Sequence, residues 1–512
     1  MINRRVFVGD LVRLAALAAV VPSDWRVRWR PRFVDDPFVL GVASGDPTAN
    51  GVTLWTRLAP KPLEPLGGMN GERAAVRWEL ARDDRFMQVV RRGTATATPA
   101  LAYSVHVDVD GLDPDRWYFY RFMTGDATTE TGRTRTAPAA GATTPLRLTI
   151  ASCQHYEQGL YTAYQHMARE DADLTLHLGD YIYESAPVEN RVRRHFSALC
   201  MRLEDYRLRY AQYKTDEHLR AAHRARPWIV TWDDHEVSDN YANLIDSDTT
   251  LTVDIMKARR AAAYQAWWEH QAVRVGATSD WANLSITRTL NWGSLAQFWV
   301  LDTRQYRSDQ ACGDRIKQVP CGDWADPSRT LMGDKQEKWL LDGMTTSHAR
   351  WQVLANQVMM APFDTMPGPG VRVSMDQWSG YPVARDRLLG EIAKRTPRRT
   401  VVLTGDIHSN WVNQLRSSFS TPDAPAVGVE FVGTSISSGG DGSVSWMTDA
   451  QHGENPHVKW QNAQRGYVSC VVNAAEWRAN YRIVPFVTRP NAPIVTASSW
   501  RVRNGSASID PA

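Results

Sequence analysis

Residues 174–184 read LTLHLGDYIYE and carry the pattern on which the fold prediction rests. The run Leu174–Leu178 is short, largely apolar and closed by a Gly-Asp turn, which is typical of a buried strand. In an α/β sheet, ligands bind beyond the carboxyl ends of the strands. Asp180, Tyr183 and Glu184 follow this strand directly, so we expect them at the functional edge of a sheet.

The same pattern recurs at other predicted strands on both sides of this segment. A single Gly-Asp pair after a strand is usually only a turn, but five strand ends that each deliver possible metal ligands indicate a shared site. The further predicted strands are Leu146–Ala151, Trp228–Trp232, Phe298–Leu301, Val353–Ala355, Val401–Thr404, Val427–Val432 and Tyr467–Val472. The side chains of interest that follow them are Cys153, Asp234, His235, Asn240, Asn356, Gln357, Asp406 and His408.

Amphipathic segments of helical length lie between these strands. They include Leu203–Tyr213, Thr252–Ala272 and Val383–Lys394. Alternation of short apolar strands with helices indicates an α/β domain. We therefore predict an α/β fold over residues 138–512.

The region before this domain has a different pattern. Apolar and polar residues alternate with period two, for example in Val76–Leu80 and Val105–Val109. Several short alternating strands separated by turn signals are typical of a β-sandwich. We therefore predict an N-terminal β-sandwich domain over residues 35–137. Residues 127–144 are rich in Thr, Ala, Gly and Pro, which predicts a linker.

Residues 1–34 contain the features of an export leader. The pair Arg4-Arg5 precedes the apolar run Leu11–Val21, and this order resembles a twin-arginine signal. An ordinary first helix with a chance arginine pair is the alternative, since Arg13 interrupts the run and no clear small-x-small cleavage site follows. We favour export. An exported chain could form a local disulfide between Cys312 and Cys321.

Composition excludes several classes of protein. The 512 residues carry a formal net charge of only +3, so a protein built mainly to bind nucleic acid is disfavoured. No apolar stretch approaches the roughly 20 residues of a membrane helix. Five cysteines are too few for a disulfide scaffold of this length.

The ligand types at the strand ends favour two different metals. Carboxylate and amide oxygens suit a hard cation such as calcium, whereas a thiolate, a phenolate and an imidazole suit ferric iron. Cys153 could instead be a buried apolar residue or a nucleophile paired with His155, and Tyr183 could simply pack. Two metals that share a carboxylate form a clamp for displacement at phosphorus. The residues therefore indicate metal-assisted phosphoester hydrolysis.

Several motifs together resemble the alkaline phosphatase D (PhoD) family. The resemblance runs in order from Phe38 to Ala497 and implies an exported phosphatase that uses Fe³⁺ and Ca²⁺. It implies a metallophosphoesterase-like α/β sandwich preceded by an immunoglobulin- or fibronectin-III-like β-sandwich. The matching segments are residues 38–47, 151–154, 177–184, 232–237, 301–307, 378–382, 403–408 and 464–468.

The resemblance also implies a ligand set. Iron would be held by Cys153, Asp180, Tyr183 and His408. Calcium would share Asp180 with the iron and would also bind Asp234, Asn356 or Gln357, and Asp406. The choice between Asn356 and Gln357 stays open, because adjacent side chains at a strand exit can exchange roles.

Three further residues are expected to contact the substrate. His235 would bind the phosphoryl oxygens or protonate the leaving group, and Asn240 would contact phosphate. Arg207 is preferred over Arg209 as a phosphate-binding arginine, because a guanidinium matches the geometry of phosphate. The family usually has Glu-Asn-Asn where this chain has Ser238-Asp239-Asn240. Asp239 would therefore change substrate preference or bind a second calcium.

The favoured function is that of an exported alkaline phosphatase in which metal-bound hydroxide attacks phosphorus. A phosphodiesterase of the phospholipase D type would use the same metals and differ only in the space beyond the phosphate. A non-catalytic, calcium-dependent binding protein is disfavoured, since such a protein does not need a thiolate–phenolate site. The expected partner is a phosphoester, either a small molecule or a phospholipid head group, and no nucleic acid.

Overall fold

The computed structural model describes residues 33–313, 318–395 and 399–512. The predicted twin-arginine leader, including Arg4 and Arg5, lies outside the described residues. Across the described ranges, none of the helices has the length and apolar character needed to span a bilayer.

The first hundred described residues form two layers of antiparallel strands. One layer contains β1, β2 and β5, and the other contains β3, β4 and β6 with two short strands, β7 and β8. Their alternating apolar residues face a shared core. The immunoglobulin- or fibronectin-III-like assignment stays a prediction. The bounds are β1 Val42–Thr48, β2 Gly51–Arg57, β3 Ala74–Ala81, β4 Val89–Ala97, β5 Ser104–Asp110, β6 Trp117–Thr124, β7 Ala127–Thr128 and β8 Gly132–Arg135.

Part of the predicted linker over residues 127–144 is instead strand. β8 pairs with β6 in antiparallel register, and its residues Gly132 and Thr134 are buried. The sequence did not predict this strand, because its two inward residues are not strongly apolar and give no alternating apolar pattern. The remainder of the segment, from residue 136, carries no strand or helix.

The rest of the chain alternates strands and helices, as predicted. The strands are β9 Leu146–Ala151, β10 Leu174–His177, β11 Trp228–Val230, β12 Arg288–Trp292, β13 Ala296–Val300, β14 Trp351–Ala355, β15 Thr400–Thr404, β16 Asn410–Arg416, β17 Ala426–Val432, β18 Gly442–Ser443, β19 Val458–Val472, β20 Glu476–Val484, β21 Val495–Arg503 and β22 Ile509–Pro511. The helices are α1 Thr162–Met167, α2 Leu203–Lys214, α3 Glu217–Ala225, α4 Val253–His270, α5 Asp334–Thr346, α6 Pro382–Arg395 and α7 Asp449–Glu454.

These strands form two sheets that share the long strand β19. In the first sheet β11, β10 and β9 are parallel neighbours, and β19, β20, β21 and β22 follow in antiparallel order. In the second sheet β13, β14, β15 and β17 are parallel, with β12 at one edge and β16 between β17 and β19. The first sheet also continues into β1 through the pair Gly45–Trp228.

The two sheets pack face to face, and helices cover their outer faces. Side chains from β9, β10, β13, β14 and β15 fill the central core between the sheets. Helices α2, α3 and α4 pack on the first sheet, and α5 and α6 pack on the second. Strands covered on both faces read as continuous apolar runs, which explains why they could be predicted from sequence. The structure confirms the α/β fold.

Candidate metal centre

Strands from both sheets end at one cleft of about 220 Å³. Because β9, β10 and β11 are parallel neighbours, their exits deliver Cys153, Asp180 and Asp234 to the same edge. The exit of β15 in the second sheet delivers Asp406 and His408. The structure therefore brings these five predicted residues together. The cleft lining also includes His235, Asp239, Asn240, Ser374, Asp376 and Gln377.

One group of side chains in this cleft combines sulfur, oxygen and nitrogen donors. Ligand atoms of Cys153, Asp180 and His408 lie within 4.8 Å of one another. The Tyr183 hydroxyl donates to Asp180 Oδ2 at 2.8 Å and lies 3.0 Å from His408 Nε2. Thiolate, phenolate and imidazole around one carboxylate are ligands suited to a transition metal.

A second group adjoins the first and contains only carboxylates. Asp233, Asp234 and Asp406 offer oxygens within 4.8 Å of one another, and Asp180 is equally close to Asp234. Three oxygens of this group, Asp180 Oδ1, Asp233 Oδ2 and Asp234 Oδ1, are buried without a hydrogen-bond partner. Because buried polar atoms are normally satisfied, this arrangement fits a bound cation. Asp180 lies in both groups and is the residue that could bridge two metals.

The electrostatics of both groups are those expected of metal ligands. Burial, reinforced by the neighbouring charge of Asp234, raises the pKa of Asp180 well above its usual range. Burial raises the pKa of Asp406 to about 7, although Arg304 opposes the shift. Burial and the Asp180 charge raise the pKa of both the Cys153 thiol and the Tyr183 hydroxyl. A bound cation would favour the deprotonated forms of all four groups.

The backbone of the cleft is held in an uncommon conformation. Cys153, Asp180, Asn240, Asp406 and His408 all have positive φ angles, between 54° and 62°. Such angles are unfavourable for residues other than glycine and persist only where the surroundings impose them. Glu236 supplies part of that constraint, because its carboxylate accepts from the backbone amides of Asp180, Tyr181 and Asp233.

Arg304 is a central residue that the sequence analysis did not identify. Its fully buried guanidinium donates to Asp233 at 2.5 Å, to Asp376 at 2.7 Å and to Asp406 at 3.0 Å. Arg304 lies just beyond the end of β13, so inspection of that strand exit could have found it. Ser438, which donates to the Tyr183 hydroxyl at 2.7 Å, lies six residues beyond the end of β17, where a serine among other small polar residues gives little indication of a site.

His235 is held between two acidic side chains at the cleft. Its Nδ1 lies 2.8 Å from Glu184 Oε2, and its Nε2 lies 3.7 Å from Asp239 Oδ1. Burial opposes a charge on this ring, but Asp234 and Glu184 outweigh burial and raise the pKa of His235 well above its usual range. Asn240 lies at the same edge, and its backbone amide donates to Asp234 Oδ2 at 2.8 Å.

Three predicted site residues are not brought to the cleft. Arg207 pairs with Glu269 and donates to the carbonyl of Ala100, because α2 presents it to the region where the N-terminal layers meet α4. Asn356 Oδ1 accepts from Trp378 Nε1 at 3.2 Å. Gln357 Oε1 accepts from the Thr303 hydroxyl at 2.8 Å. Neither amide lines the cleft, and each amide oxygen already accepts one of these hydrogen bonds.

Comparison with known proteins identifies a family for both parts of the chain. Residues 148–481 match the family model of the PhoD-like phosphatases, and residues 24–138 match that of the PhoD-like phosphatase N-terminal domain. Alkaline phosphatase D of Bacillus subtilis (strain 168) is 46% identical over 510 residues, which cover 97% of this chain and 87% of that protein.

Solved structures agree with this assignment. A PhoD structure superposes with a TM-score of 0.91 at 46% identity and covers 94% of this chain and 93% of that one. A purple acid phosphatase from yellow lupin seeds shares the fold at a TM-score of 0.56 and 11% identity, covering 92% of this chain and 74% of its own. The chain therefore belongs to the PhoD-like phosphatase family and is a phosphoester hydrolase.

Proposed function

We propose that this chain is an exported, metal-dependent alkaline phosphatase. The observation that carries the proposal is the pair of adjoining ligand groups that share Asp180. Cys153, Asp180, Tyr183 and His408 would hold Fe³⁺, and Asp180, Asp234 and Asp406 would hold Ca²⁺. A bound metal pair would supply Lewis acidity, that is, acidification of water and neutralisation of charge at the phosphoryl group.

The chain's own side chains would position and protonate the substrate. Glu184 holds Nδ1 of His235 at 2.8 Å. Nε2 lies 3.7 Å from Asp239 Oδ1, beyond hydrogen-bond distance, and would donate to a phosphoryl oxygen or give a proton to the leaving oxygen. The Asn240 side chain lines the cleft beside it and would donate to phosphate. Arg304 acts as a positioning residue, because it holds Asp233 and Asp406 while itself fully buried.

The size of the cleft supports a monoester as substrate. A cavity of about 220 Å³ is smaller than the roughly 300–1,000 Å³ of pockets that enclose drug-sized ligands. It accommodates a phosphoryl group and the start of one leaving group. A phosphodiesterase of the phospholipase D type would need space for a second ester group.

Hydrolysis of p-nitrophenyl phosphate tests this function. The assay is run at about pH 9, because water activated by a metal is deprotonated there. The purified protein would be assayed with and without added calcium, its iron measured by elemental analysis, and bis-p-nitrophenyl phosphate run in parallel. We expect calcium-dependent turnover of the monoester and iron in the protein. Turnover of the diester alone would replace the proposal with a phosphodiesterase, and full activity after exhaustive chelation would refute metal dependence.

Export needs a separate test, since it rests on the leader sequence. Replacement of Arg4 and Arg5 by lysine is expected to retain the protein in the cytoplasm, whereas the parent is recovered outside it. Equal export of both proteins would contradict a twin-arginine route.

A further inference from the structure

A groove of about 670 Å³ lies apart from the cleft and shares no lining residue with it. We call it the Arg260 groove. The residues on which its chemistry depends are Asn243, Arg260, Asn283, Tyr306, Lys335 and Trp339.

Arg260 is a buried cation with no acidic partner in the part of the chain that the structure describes. Only 3% of the surface of this residue is exposed. One terminal nitrogen donates to the backbone and side-chain oxygens of Asn243 at 3.1 Å, and the other donates to Asn283 Oδ1 at 3.4 Å. Its Nε is buried with no partner. The neighbouring Arg259, in contrast, pairs with Asp246 at 2.9 Å.

An anion in the groove would supply the counter-charge that the described partners of Arg260 do not provide. A buried charge that has only neutral partners carries a desolvation cost that hydrogen bonds to amides only partly offset. Among the described residues, no carboxylate forms an ion pair with Arg260, and its two amide partners both line the groove. The uncompensated positive charge is therefore located at the wall of an open cavity.

Other groups of the groove add positive potential. Helix α5 begins at Asp334, and Gly333 before it provides no side-chain cap, so the first amides of the helix are not capped by a side chain. Uncapped amides at a helix N-terminus favour anions. Lys335 is exposed in the first turn of α5. Among the described residues that line the groove, Asp334 is the one carboxylate, against the two cations Arg260 and Lys335. Glu337, also in the first turn of α5, pairs with Arg387.

Aromatic rings form another part of the same wall. Tyr306 is 37% exposed, and Trp339 is half-buried against Trp299, with ring centroids 5.3 Å apart. Rings held in this way offer flat apolar surface to a ligand at little cost in side-chain entropy. An occupant that combines a negative group with a ring would use both parts of the groove.

We propose that the Arg260 groove binds a small organic phosphate that carries a ring, such as a nucleoside or sugar monophosphate. The phosphate would contact Arg260 and Lys335 near the start of α5, and the ring would pack on Tyr306 and Trp339. The volume lies within the roughly 300–1,000 Å³ typical of small-molecule pockets. This binding is independent of catalysis at the cleft.

Calorimetric titration of the metal-loaded protein with a hydrolysis-resistant phosphonate analogue of adenosine monophosphate tests the proposal. Lys335→Glu is the principal variant, because Lys335 is exposed and its replacement leaves the core intact. Lys338→Glu is the matched control: Lys338 is exposed on the same helix, pairs with Asp342 and does not line the groove. Arg260→Gln is measured beside them, with its folding checked by circular dichroism.

We expect the dissociation constant of one binding event to rise at least tenfold in Lys335→Glu and in folded Arg260→Gln. The dissociation constant of Lys338→Glu should match that of the parent. Isotherms of Lys335→Glu that match those of the parent would overturn the proposal, whether or not Arg260→Gln folds. Inorganic phosphate is titrated as a second probe. A further variant, Tyr306→Ala, tests the ring. It should bind the adenosine analogue more weakly than the parent does and should bind inorganic phosphate as the parent does. Equal effects on both probes would overturn the role of the ring.

Discussion

Arg304 determines the charge balance of the cleft at the scale of single residues. Its guanidinium donates to Asp233, Asp376 and Asp406 and lies 3.6 Å from Asp234 Oδ1. The four carboxylates would otherwise repel one another in a buried environment. Burial opposes the charge on Arg304, but these carboxylates raise its pKa well above the usual range, so the side chain stays charged.

We expect Arg304→Gln to lower the free energy of unfolding by about 3–5 kcal/mol, because removal of one partner leaves buried charges uncompensated. Phosphatase activity should fall as well, since Asp233 and Asp406 lose the group that holds them. Urea denaturation at pH 7.5 measures the first effect.

Arg387→Gln provides the control for this substitution. Arg387 forms an ion pair with Glu337 at 2.8 Å, but its side chain is 38% exposed. Exposed ion pairs contribute less than about 1 kcal/mol. Equal losses of stability in the two variants would show that Arg304 acts only as an ordinary ion pair.

At the scale of elements, a disulfide lies close in sequence to a strand bridge at the edge of the cleft. Cys312 and Cys321 are bonded, with their Cα atoms 5.6 Å apart. Gln318, which lies between them in sequence, forms a bridge with Val373, and Val373 precedes Ser374, which lines the cleft. The bridge of Gln318 with Val373 therefore supports one wall of the site.

Replacement of both cysteines by serine is expected to lower the free energy of unfolding by about 2–3 kcal/mol, because the unfolded chain gains the entropy of an open loop. Thermal and urea unfolding of parent and variant measure the difference. The reducing agent is the internal control: under reducing conditions the two proteins should unfold alike. A difference that persists in reductant would assign the effect to the serines themselves.

At the scale of the whole molecule, stability should depend on calcium. Asp180, Asp233 and Asp234 are buried close to the partly exposed Asp406, and a cation that binds only the folded state stabilises it by mass action. A calcium concentration of 100 times the dissociation constant corresponds to about 2.7 kcal/mol. The melting temperature should therefore rise with calcium and fall in chelator.

Asp234→Asn should flatten this dependence, whereas Asp342→Asn, which alters an exposed carboxylate, should leave it unchanged. A melting temperature of the parent that does not respond to calcium would contradict the proposed calcium site.

Stability should also fall in acid, and His457 allows one source of this loss to be measured. Its ring is buried, and Nε2 lies 2.7 Å from the carbonyl oxygen of Pro362. Burial lowers the pKa of His457 to about 4, although the Pro362 carbonyl opposes the shift. Above pH 6.5 the His457 side chain is mostly neutral in both the folded and the unfolded state. Below it the unfolded chain binds a proton that the folded state does not accept until about pH 4.

His457→Gln removes this titration and keeps a donor for the Pro362 carbonyl. Between pH 8 and pH 5, we expect the free energy of unfolding of the parent to fall by about 2 kcal/mol more than that of the variant. Parallel pH profiles from urea denaturation would show that His457 titrates normally in the folded protein.

The sequence pattern was sufficient to predict a strand where the buried residues of that strand are also its apolar residues. Strand β9, for example, has the predicted bounds Leu146–Ala151, because its alternate residues Leu146, Leu148 and Ile150 are apolar and face the central core. The strand within residues 127–144 was predicted as linker, since the inward residues Gly132 and Thr134 of β8 are not strongly apolar. The role of Arg207 failed for another reason: sequence does not show toward which neighbour a helix turns a side chain.

The sequence by itself determined the α/β class, the family and the convergence of Cys153, Asp180, Asp234, Asp406 and His408. Parallel strands place their carboxyl ends at one edge, so residues at strand exits must meet. Only the tertiary structure decided the remaining contacts: Arg304 among the carboxylates, the burial of Asn356 and Gln357 away from the cleft, and the placement of Arg260 beside amides, with no carboxylate partner among the described residues. These depend on side-chain direction and on packing between distant segments, which the local pattern of residues does not encode.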